Sequence, residues 1–324
     1  MKAIVYTKYG PPDVLELKEV EKPTPKDNEV LIEVHAASVN HSDASFVTGK
    51  PYLARLWSGL LKPRNTMLGA DIAGRVEAVG RNVKQFQPGD EVFGDISGCG
   101  WGGFAEYVSV PENALARKPA SMTFEEAAAV PQAATVALQG LRDKGQIQPG
   151  QKVLINGASG GIGTFAVQIA KSFGAEVTGV CSSRNLDLVR SIGADQVIDY
   201  TREDFTKSGQ HYDLIFDIVV NCSVSDYMRA LSPKGNYVAC AFNPVSLFLG
   251  PLISMIGSKT VGSLIAKANV EDLVYVKELL DAGKVVPVID RRYPLSEVAE
   301  AVRYYGEGHP QGKVVITVEH NNNT

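Results

Sequence analysis

The chain has 324 residues, of which 44% are hydrophobic, enough to fill the cores of two domains of ordinary size. A formal net charge of −4 argues against a nucleic-acid-binding protein or one held on anionic membranes by excess basic charge. The four cysteines are scattered without a C-x-x-C pair, which favours neither a disulfide framework nor a zinc site. The N-terminal residues contain no signal-peptide core, so we expect a cytoplasmic protein.

The N-terminal part of the chain is rich in strand patterns separated by Pro/Gly turns. No helix is predicted before Ser121, where the sequence SMTFE is typical of a helix cap and an Ala-rich helix follows. Alternating or continuous apolar residues predict strands at Ala3–Tyr6, Leu15–Glu19, Glu29–Ala37, Asp71–Val79 and Glu91–Gly94. This part therefore predicts a β-rich domain.

From about Gln151 the chain alternates between strand and helix patterns, which predicts a doubly wound parallel sheet with crossover helices. The strands are Val153–Asn156, Val177–Cys181, Gln196–Ile198, Leu214–Ile218, Tyr237–Ala241 and Val261–Ala266, and the helices include Leu186–Ile192, Val224–Leu231 and Val270–Ala282. In the tail, strands at Val285–Ile289 and Val314–Val318 flank a helix at Ser296–Tyr305. We expect the tail to rejoin the first domain, so that residues 1–122 with 285–324 form one domain and 123–284 the other.

The clearest functional signal is the stretch VLINGASGGIGTFAVQIAKSFGA at Val153–Ala175. An apolar strand pattern enters a glycine-rich turn, and an amphipathic helix pattern follows it. Small residues allow the backbone to approach a pyrophosphate, and the helix N-terminus offers N–H groups to the phosphates. Ala158 stands where the usual G-x-G-x-x-G pattern has its first glycine. The stretch predicts a dinucleotide-binding turn.

The residues after the next strand indicate which dinucleotide is bound. NAD-binding sites usually have an acidic residue here, bonded to the ribose 2′-hydroxyl. This chain has Ser182-Ser183-Arg184 instead. Ser182 can donate to a 2′-phosphate, and Arg184 can bind it by charge-assisted hydrogen bonds. We therefore predict NADP(H); the alternative is that Arg184 is a solvated residue at a helix start.

An uncharged stretch at Gly235–Ser258 is long enough to raise the question of a membrane span. Asn236, Asn243, Pro244 and Pro251 interrupt it, so a spanning helix is not expected. The stretch predicts a core strand followed by an apolar flap at 243–257, which could line a pocket or touch a membrane surface peripherally.

Motifs over nearly the whole chain resemble the medium-chain dehydrogenase/reductase superfamily, specifically its zinc-free quinone oxidoreductase branch. The resemblance implies a GroES-like fold for the β-rich domain and a Rossmann fold for the other. The motifs are SVNHSD at 38–43, GADIAGRVEAVG at 69–80, QPGDEVFG at 87–94, GGFAEY at 102–107, QPGQKVLINGASGGIGTFAVQIAK at 148–171, IGADQVIDY at 192–200 and GHPQGKVVI at 308–316.

The same resemblance bears on whether this protein holds a zinc ion. Zinc-dependent relatives place a cysteine where this chain has Asn40, a His-Glu pair where it has Ala70-Asp71, and a third ligand near Gln132. They also carry four cysteines in a loop around position 99. Catalytic zinc needs about three N, S or O side-chain ligands, so the resemblance implies a metal-free protein. Without a Lewis acid, the favoured hydride acceptors are quinones and conjugated enones or enals, whose charge delocalises.

The resemblance also implies site residues. Asn40 is implied as a donor near the nicotinamide and the substrate carbonyl, with bracing of its own loop as the alternative. Tyr52 is implied as a proton donor or as an aromatic wall of the pocket. Asp43 is expected to brace the loop. Lys313 is expected to be an ordinary solvated lysine, with a side chain that reaches the cleft as the alternative. The implied cofactor contacts are Ser159, Gly160, Gly161 and Ile162 for the diphosphate, Ser182 and Arg184 for the 2′-phosphate, and Tyr200 for the adenosine end.

The leading hypothesis is therefore an NADPH-dependent, metal-free reductase of quinones or α,β-unsaturated carbonyls. Two alternatives stay open: a zinc-free alcohol or aldehyde reductase, and an NADPH-binding sensor or partner protein with little turnover. Relatives commonly pair the last strands of their nucleotide domains, so we expect a homodimer through the edge strand at Val261–Ala266.

Overall fold

The computed structural model describes residues 1–52, 55–240, 246, 250, 254–255, 257–308 and 310–320. Most of the predicted flap at 243–257, residue 54 of the insertion at 54–63 and residue 53 before it lie outside the described residues. The chain divides into two compact units: Met1–Ala133 with Ala268–Asp281 and Pro287–Thr324, and Ala134–Lys267 with Ala282–Val286. The helix at 270–281 thus belongs to the first unit, whereas the sequence-based boundary assigned it to residues 123–284.

The first unit is built on a seven-stranded sheet with strand order β14-β15-β3-β4-β5-β7, and β6 also pairs with β3. Its pairs are antiparallel except β14 with β15, and β1 and β2 form a separate two-stranded sheet. The strands are β1 Lys2–Val5, β2 Glu16–Glu19, β3 Glu29–Val39, β4 Asp71–Val79, β5 Glu91–Asp95, β6 Tyr107–Pro111, β7 Ala116–Arg117, β14 Ile289–Pro294 and β15 Lys313–Thr317. The helices are α1 His41–Thr48, α2 Arg55–Ser58, α3 Phe124–Ala128, α8 Val270–Asp281 and α9 Val298–Gly308, and α4 Pro131–Leu138 starts here.

Strand β3 is the centre of this unit because it pairs with β4, β6 and β15. Its apolar residues join a core that includes Val30, Ile32 and Ile316. The register places Ser38 opposite Asp71 and Asp71 opposite Asp95, while Val314 of β15 lies opposite Val39. Polar residues that are far apart in the sequence therefore meet at one end of the sheet.

The second unit contains a six-stranded parallel sheet with strand order β10-β9-β8-β11-β12-β13. This is the doubly wound order of dinucleotide-binding folds, and it confirms the predicted fold class. The strands are β8 Lys152–Asn156, β9 Glu176–Cys181, β10 Gln196–Asp199, β11 Tyr212–Asp217, β12 Leu231–Ala239 and β13 Thr260–Ser263. The helices are α5 Gly161–Ser172, α6 Leu186–Ser191 and α7 Val224–Ala230, and a π-helical segment, Gln139–Lys144, follows α4.

Several predicted elements differ from the observed ones. Helix α1 was not predicted, because only Asp43 and Val47 of its eight residues are buried and the segment lacks apolar periodicity. The predicted strand at Val285–Ile289 is wrong: the strand of this region, β14, begins at Ile289 and runs to Pro294. Strand β13 ends at Ser263 rather than Ala266. Within the described part of the chain, none of the helices has the length and apolar character that a bilayer crossing requires.

Candidate active site

The glycine-rich turn joins β8 to α5 in the second unit. Gly157 has φ +92°, in the left-handed region that side chains disfavour. Gly160 is the residue before the helix and has no side chain to cap it. The first N–H groups of α5 are therefore offered to a ligand, and the positive end of the helix dipole favours an anionic one.

Gly163 is required for the packing of this turn. A Cβ at this position would lie 2.0 Å from the carbonyl oxygen of Gly157 and 2.7 Å from the carbonyl carbon of Ala158. The helix thus packs directly on the backbone of the turn, which fixes where its first amides point. The predicted diphosphate residues Ser159, Gly160, Gly161 and Ile162 all lie in this turn and the first residues of α5.

Asn185, which lies after β9, contacts this turn and was missed by the sequence analysis. Its Nδ2 donates to Ser159 Oγ at 2.9 Å, although the two residues are on different loops. Asn185 is buried, and its Oδ1 has no hydrogen-bond partner among the described residues. The opposite amide orientation would let the Ser159 hydroxyl donate to Oδ1 and would turn Nδ2 into a free donor beside the turn. An incompletely bonded amide at this position fits a cradle for a phosphate.

The end of β9 carries the residues predicted for the 2′-phosphate. Ser182 is half-buried and Arg184 is exposed, while Tyr200, after β10, is about half exposed. The structure also places a carboxylate there that the sequence analysis missed. Asp199 lies opposite Cys181 in the register of β9 and β10, and it accepts a hydrogen bond of 2.5 Å from Ser183 Oγ.

Asp199 bears on the choice between NAD and NADP because a carboxylate repels a 2′-phosphate. The hydroxyls of Ser183 and Thr201 donate to it, and these bonds lower its pKa, so it is charged. Arg202 Nε lies 3.4 Å from Asp199 Oδ2 and offsets this charge. Arg184 follows β9 and Arg202 follows β10, so a guanidinium group lies after each of the two strand ends that meet at Asp199.

A second polar cluster lies where β8 and β11 end, the place at which doubly wound folds bind their ligands. Asp217 is fully buried and accepts hydrogen bonds from Asn156 Nδ2 at 2.9 Å, Tyr237 Oη at 2.8 Å and the Val220 amide at 2.9 Å. The last bond holds Val220 at φ +56°, which is strained for a β-branched residue. Asp217 thus fixes the loop that follows β11.

In the first unit, Asn40 lies directly after β3 and before α1. Its Nδ2 donates to Asp71 Oδ2 at 2.9 Å and to the Ser38 carbonyl at 3.4 Å, and its Oδ1 accepts from Lys313 Nζ at 2.5 Å. Asp71 also accepts from Ser38 Oγ and from the Gln132 amide. In this structure the side chain of Asn40 is bonded within its own unit, to Asp71 of β4 and Lys313 of β15 as well as to its own loop.

Asp43 joins the start of α1 to the loop before β4. It is fully buried, and its carboxylate accepts the backbone amides of Asn40 at 2.8 Å and Gly69 at 3.0 Å. Burial raises the pKa of Asp43 to about 7, and the amide bonds oppose this rise. Its contacts are those of a brace, as expected from the sequence.

Two other predicted residues take positions that the sequence did not specify. Tyr52 is 70% exposed, and its described contact is with the Arg55 guanidinium, 4.9 Å from the ring centre, rather than with the residues around Asn40. Lys313 was expected to be solvated, and this expectation is wrong. Its side chain is 3% exposed, because β15 pairs with β3 and carries the lysine into the buried polar end of the sheet.

The residues at the zinc-ligand positions do not fit a catalytic zinc ion. Asn40 already accepts from Lys313, and Gln132 is bonded to Ser42 and Asp71. An ammonium group beside Asp71 would repel a divalent cation. Nowhere in the described residues do three or more His, Cys, Asp or Glu side chains cluster as a metal site would need.

Comparison with known proteins identifies the family. Residues 26–120 match the alcohol dehydrogenase GroES-like domain, and residues 192–316 match the zinc-binding dehydrogenase family model. The chain is 36% identical to the mouse mitochondrial NAD(P)H oxidoreductase RTN4IP1, over 98% of this chain and 89% of that protein. It is 35% identical to the chloroplastic NADPH-dependent alkenal/one oxidoreductase of Arabidopsis thaliana, over 98% and 79%. The chain belongs to the quinone oxidoreductase-like branch of the medium-chain dehydrogenase/reductase superfamily.

A solved structure of this family superimposes closely. The quinone oxidoreductase from Coxiella burnetii matches with a TM-score of 0.87 and 31% identity, covering 98% of this chain and 99% of that one. The predictions of the family, of the fold and of a nicotinamide-dependent oxidoreductase are therefore confirmed. Because the two relatives above are named as mitochondrial and chloroplastic proteins, a cytoplasmic location stays a prediction.

Proposed function

We propose that this medium-chain reductase is a metal-free, NADPH-dependent enzyme that transfers hydride to quinones or α,β-unsaturated carbonyls. The observation that carries the proposal is the closed network that Lys313 forms with Asn40 and Asp71, two of the zinc-ligand positions, in a chain with a glycine-rich turn typical of dinucleotide binding. A relative named as an alkenal/one oxidoreductase and a similar structure named as a quinone oxidoreductase support the substrate class.

The proposed acceptor follows from the residues at the zinc-ligand positions, which do not fit a metal ion that could act as a Lewis acid. Bound NADPH would supply the hydride. A saturated ketone would develop a localised alkoxide, which the described donors around Asn40 stabilise less well than a metal ion does. A quinone or enone spreads the same charge over a phenolate or enolate. The residues of the site then need only to orient the acceptor, exclude water and donate a hydrogen bond to its oxygen.

Asn40 remains our candidate for this hydrogen bond. Of its two N–H bonds, the one to the Ser38 carbonyl is long, 3.4 Å, whereas the one to Asp71 is 2.9 Å. The weaker bond costs less to exchange for a substrate carbonyl. The second N–H would stay on Asp71 and keep the amide in place. Tyr52 remains the candidate proton donor, and its exposure leaves the phenol accessible to a substrate.

We further propose NADPH rather than NADH as the preferred cofactor. The amides of Gly161 and Ile162 would bind the diphosphate, and Ser182 with Arg184 would bind the 2′-phosphate. Tyr200 would lie at the adenosine end. Ser183 is committed to Asp199, so Ser182 is the hydroxyl assigned to the phosphate. The name of the alkenal/one oxidoreductase relative supports this preference.

The test uses metal-stripped protein and follows the absorbance of NADPH. 9,10-Phenanthrenequinone, a conjugated enone and a saturated ketone are compared side by side, with zinc re-added in a parallel series. Oxidation with the quinone or the enone, without stimulation by zinc, is the expected result. Turnover of the saturated ketone would favour the alcohol or aldehyde reductase. If NADPH binds but is not oxidised with any of the three acceptors, a sensor or partner protein would be favoured.

A further inference from the structure

A triangle of buried side chains lies at the end of the sheet of the first unit. Lys313 Nζ donates to Asn40 Oδ1 at 2.5 Å and lies 3.3 Å from Asp71 Oδ2, and Asn40 Nδ2 closes the triangle to Asp71 at 2.9 Å. The three residues are 2%, 6% and 0% exposed. Each side chain of the triangle is thus bonded to both of the others, away from water.

This arrangement determines the orientation of the Asn40 amide. An ammonium group can only donate and a carboxylate can only accept, so the amide oxygen must face Lys313 and the amide nitrogen must face Asp71. Exchanging the two amide atoms would place N–H against N–H and oxygen against oxygen. Lys313 and Asp71 together therefore fix the amide of Asn40, and with it the direction of the N–H that is not bonded to Asp71.

The triangle is costly to bury and is therefore not explained by stability. A buried ion pair gains little over apolar residues of similar volume, because both charges lose their hydration. Leu, Val or Met at position 313 would continue the apolar pattern of β15, whose residues Val314, Val315 and Ile316 are fully buried. A lysine at the first position of this strand instead adds a fixed positive charge beside the proposed hydrogen-bond donor.

We propose that Lys313 is a positioning residue of the reductase site, which rests on the function proposed above. Its ammonium group fixes the Asn40 amide and compensates the charge of Asp71. It thereby holds a positive charge where zinc-dependent relatives hold a metal ion, and it keeps a divalent cation out. The N–H that Asn40 offers to the acceptor oxygen is polarised by this charge, which favours the developing phenolate or enolate over the neutral acceptor.

The experiment compares kcat and KM for wild type and three variants with NADPH and 9,10-phenanthrenequinone. Lys313→Met keeps the aliphatic length and removes the charge. Because this variant leaves Asp71 uncompensated and could fail to fold, Lys313→Met/Asp71→Asn removes both charges together. Lys118→Met is the matched control, since the Lys118 side chain is also only 4% exposed and pairs with Glu91, at the opposite end of β5 from Asp95.

We expect kcat to fall by about tenfold to a hundredfold in both Lys313 variants, while KM for NADPH changes by less than about threefold. Lys118→Met should lose thermal stability and keep the kcat of the wild type. If the double variant folds and retains wild-type kcat, Lys313 has only a structural role and the inference is wrong. An inactive wild type would instead refute the proposed function, and the inference with it.

A second readout does not depend on turnover. Wild-type protein is incubated with excess zinc, desalted and analysed by elemental mass spectrometry. Retention of much less than one zinc per chain is expected, because the ammonium of Lys313 occupies the place of the cation. Retention of about one zinc per chain would overturn the inference even if the enzyme reduces quinones.

Discussion

Replacement of Gly163 by alanine tests the packing of the dinucleotide turn, and comparison with Gly160→Ala separates this packing from ligand binding. The new Cβ would lie 2.0 Å from the Gly157 carbonyl oxygen. A carbon and an oxygen in contact need about 3.3 Å, so α5 must retreat by more than about 1 Å. Both sides of the clash are backbone or Cβ, so no side-chain rotation can relieve it.

The magnitude follows from two opposing effects. Overpacking of this kind costs about 1–3 kcal/mol, and the helix propensity of alanine returns up to about 1 kcal/mol. We expect the free energy of unfolding to fall by about 1–2 kcal/mol. The displaced amides of Gly161 and Ile162 should also weaken NADPH by about tenfold or more, since hydrogen bonds to charged groups contribute about 1.5–3 kcal/mol.

The matched control is Gly160→Ala in the same turn. A Cβ there would have as its nearest neighbour the Gly157 carbonyl oxygen at 3.7 Å, an ordinary contact. Stability should therefore stay within about 0.5 kcal/mol of wild type, while the methyl group obstructs a phosphate and lowers the affinity for NADPH. Urea denaturation and NADPH fluorescence titration measure the two quantities. Wild-type stability and affinity in Gly163→Ala would refute the packing described for this turn.

Three further predictions concern the cofactor, pH and assembly. Arg184→Ala should weaken NADPH by about 1.5–3 kcal/mol and leave NADH nearly unchanged in calorimetric titration; equal losses would contradict the 2′-phosphate assignment. The pKa of Asp43 is raised to about 7, above its unfolded value of about 3.9, so its contribution to stability is lost as pH rises from about 4 through 7. Asp43→Asn should remove this part of the pH dependence in urea denaturation. If the free energies of unfolding of wild type and Asp43→Asn differ by the same amount at every pH from about 4 to 7, the raised pKa is contradicted. Light scattering should give twice the 34.8 kDa of one chain, because β13 is the last strand of the six-stranded sheet, and a monomer would exclude pairing through that edge.

The sequence predicted the doubly wound sheet well because its strands are short, buried and bounded by turns, so that each leaves a local apolar signal. Strand β9, for example, was predicted at Val177–Cys181 and is observed at Glu176–Cys181. Helix α1 left no such signal, since its start depends on the bond from the Asn40 amide to Asp43 rather than on an apolar face. Local patterns therefore predicted elements that bury an apolar face and missed one held by buried polar bonds.

The polar residues of the site were harder to predict for a related reason. The dinucleotide turn is contiguous in the sequence, so its residues could be named. Asp199, Asn185 and Lys313 act through partners on other strands or loops, and the register between those elements brings them together. The bond from Lys313 to Asn40 spans 273 positions, and no local pattern distinguishes this lysine from a solvated one.

The pairing of β15 with β3 also has a consequence for biosynthesis. Strand β3 leaves the ribosome early, but its partner follows only after the entire second unit has been made. Domains tend to fold in the order of their synthesis. Until β15 is made, the first unit therefore lacks the strand that pairs with Ala36–Val39 of β3, while the second unit can complete its own sheet. The triangle around Asn40 is thus completed late in translation, only after the second unit has been synthesised.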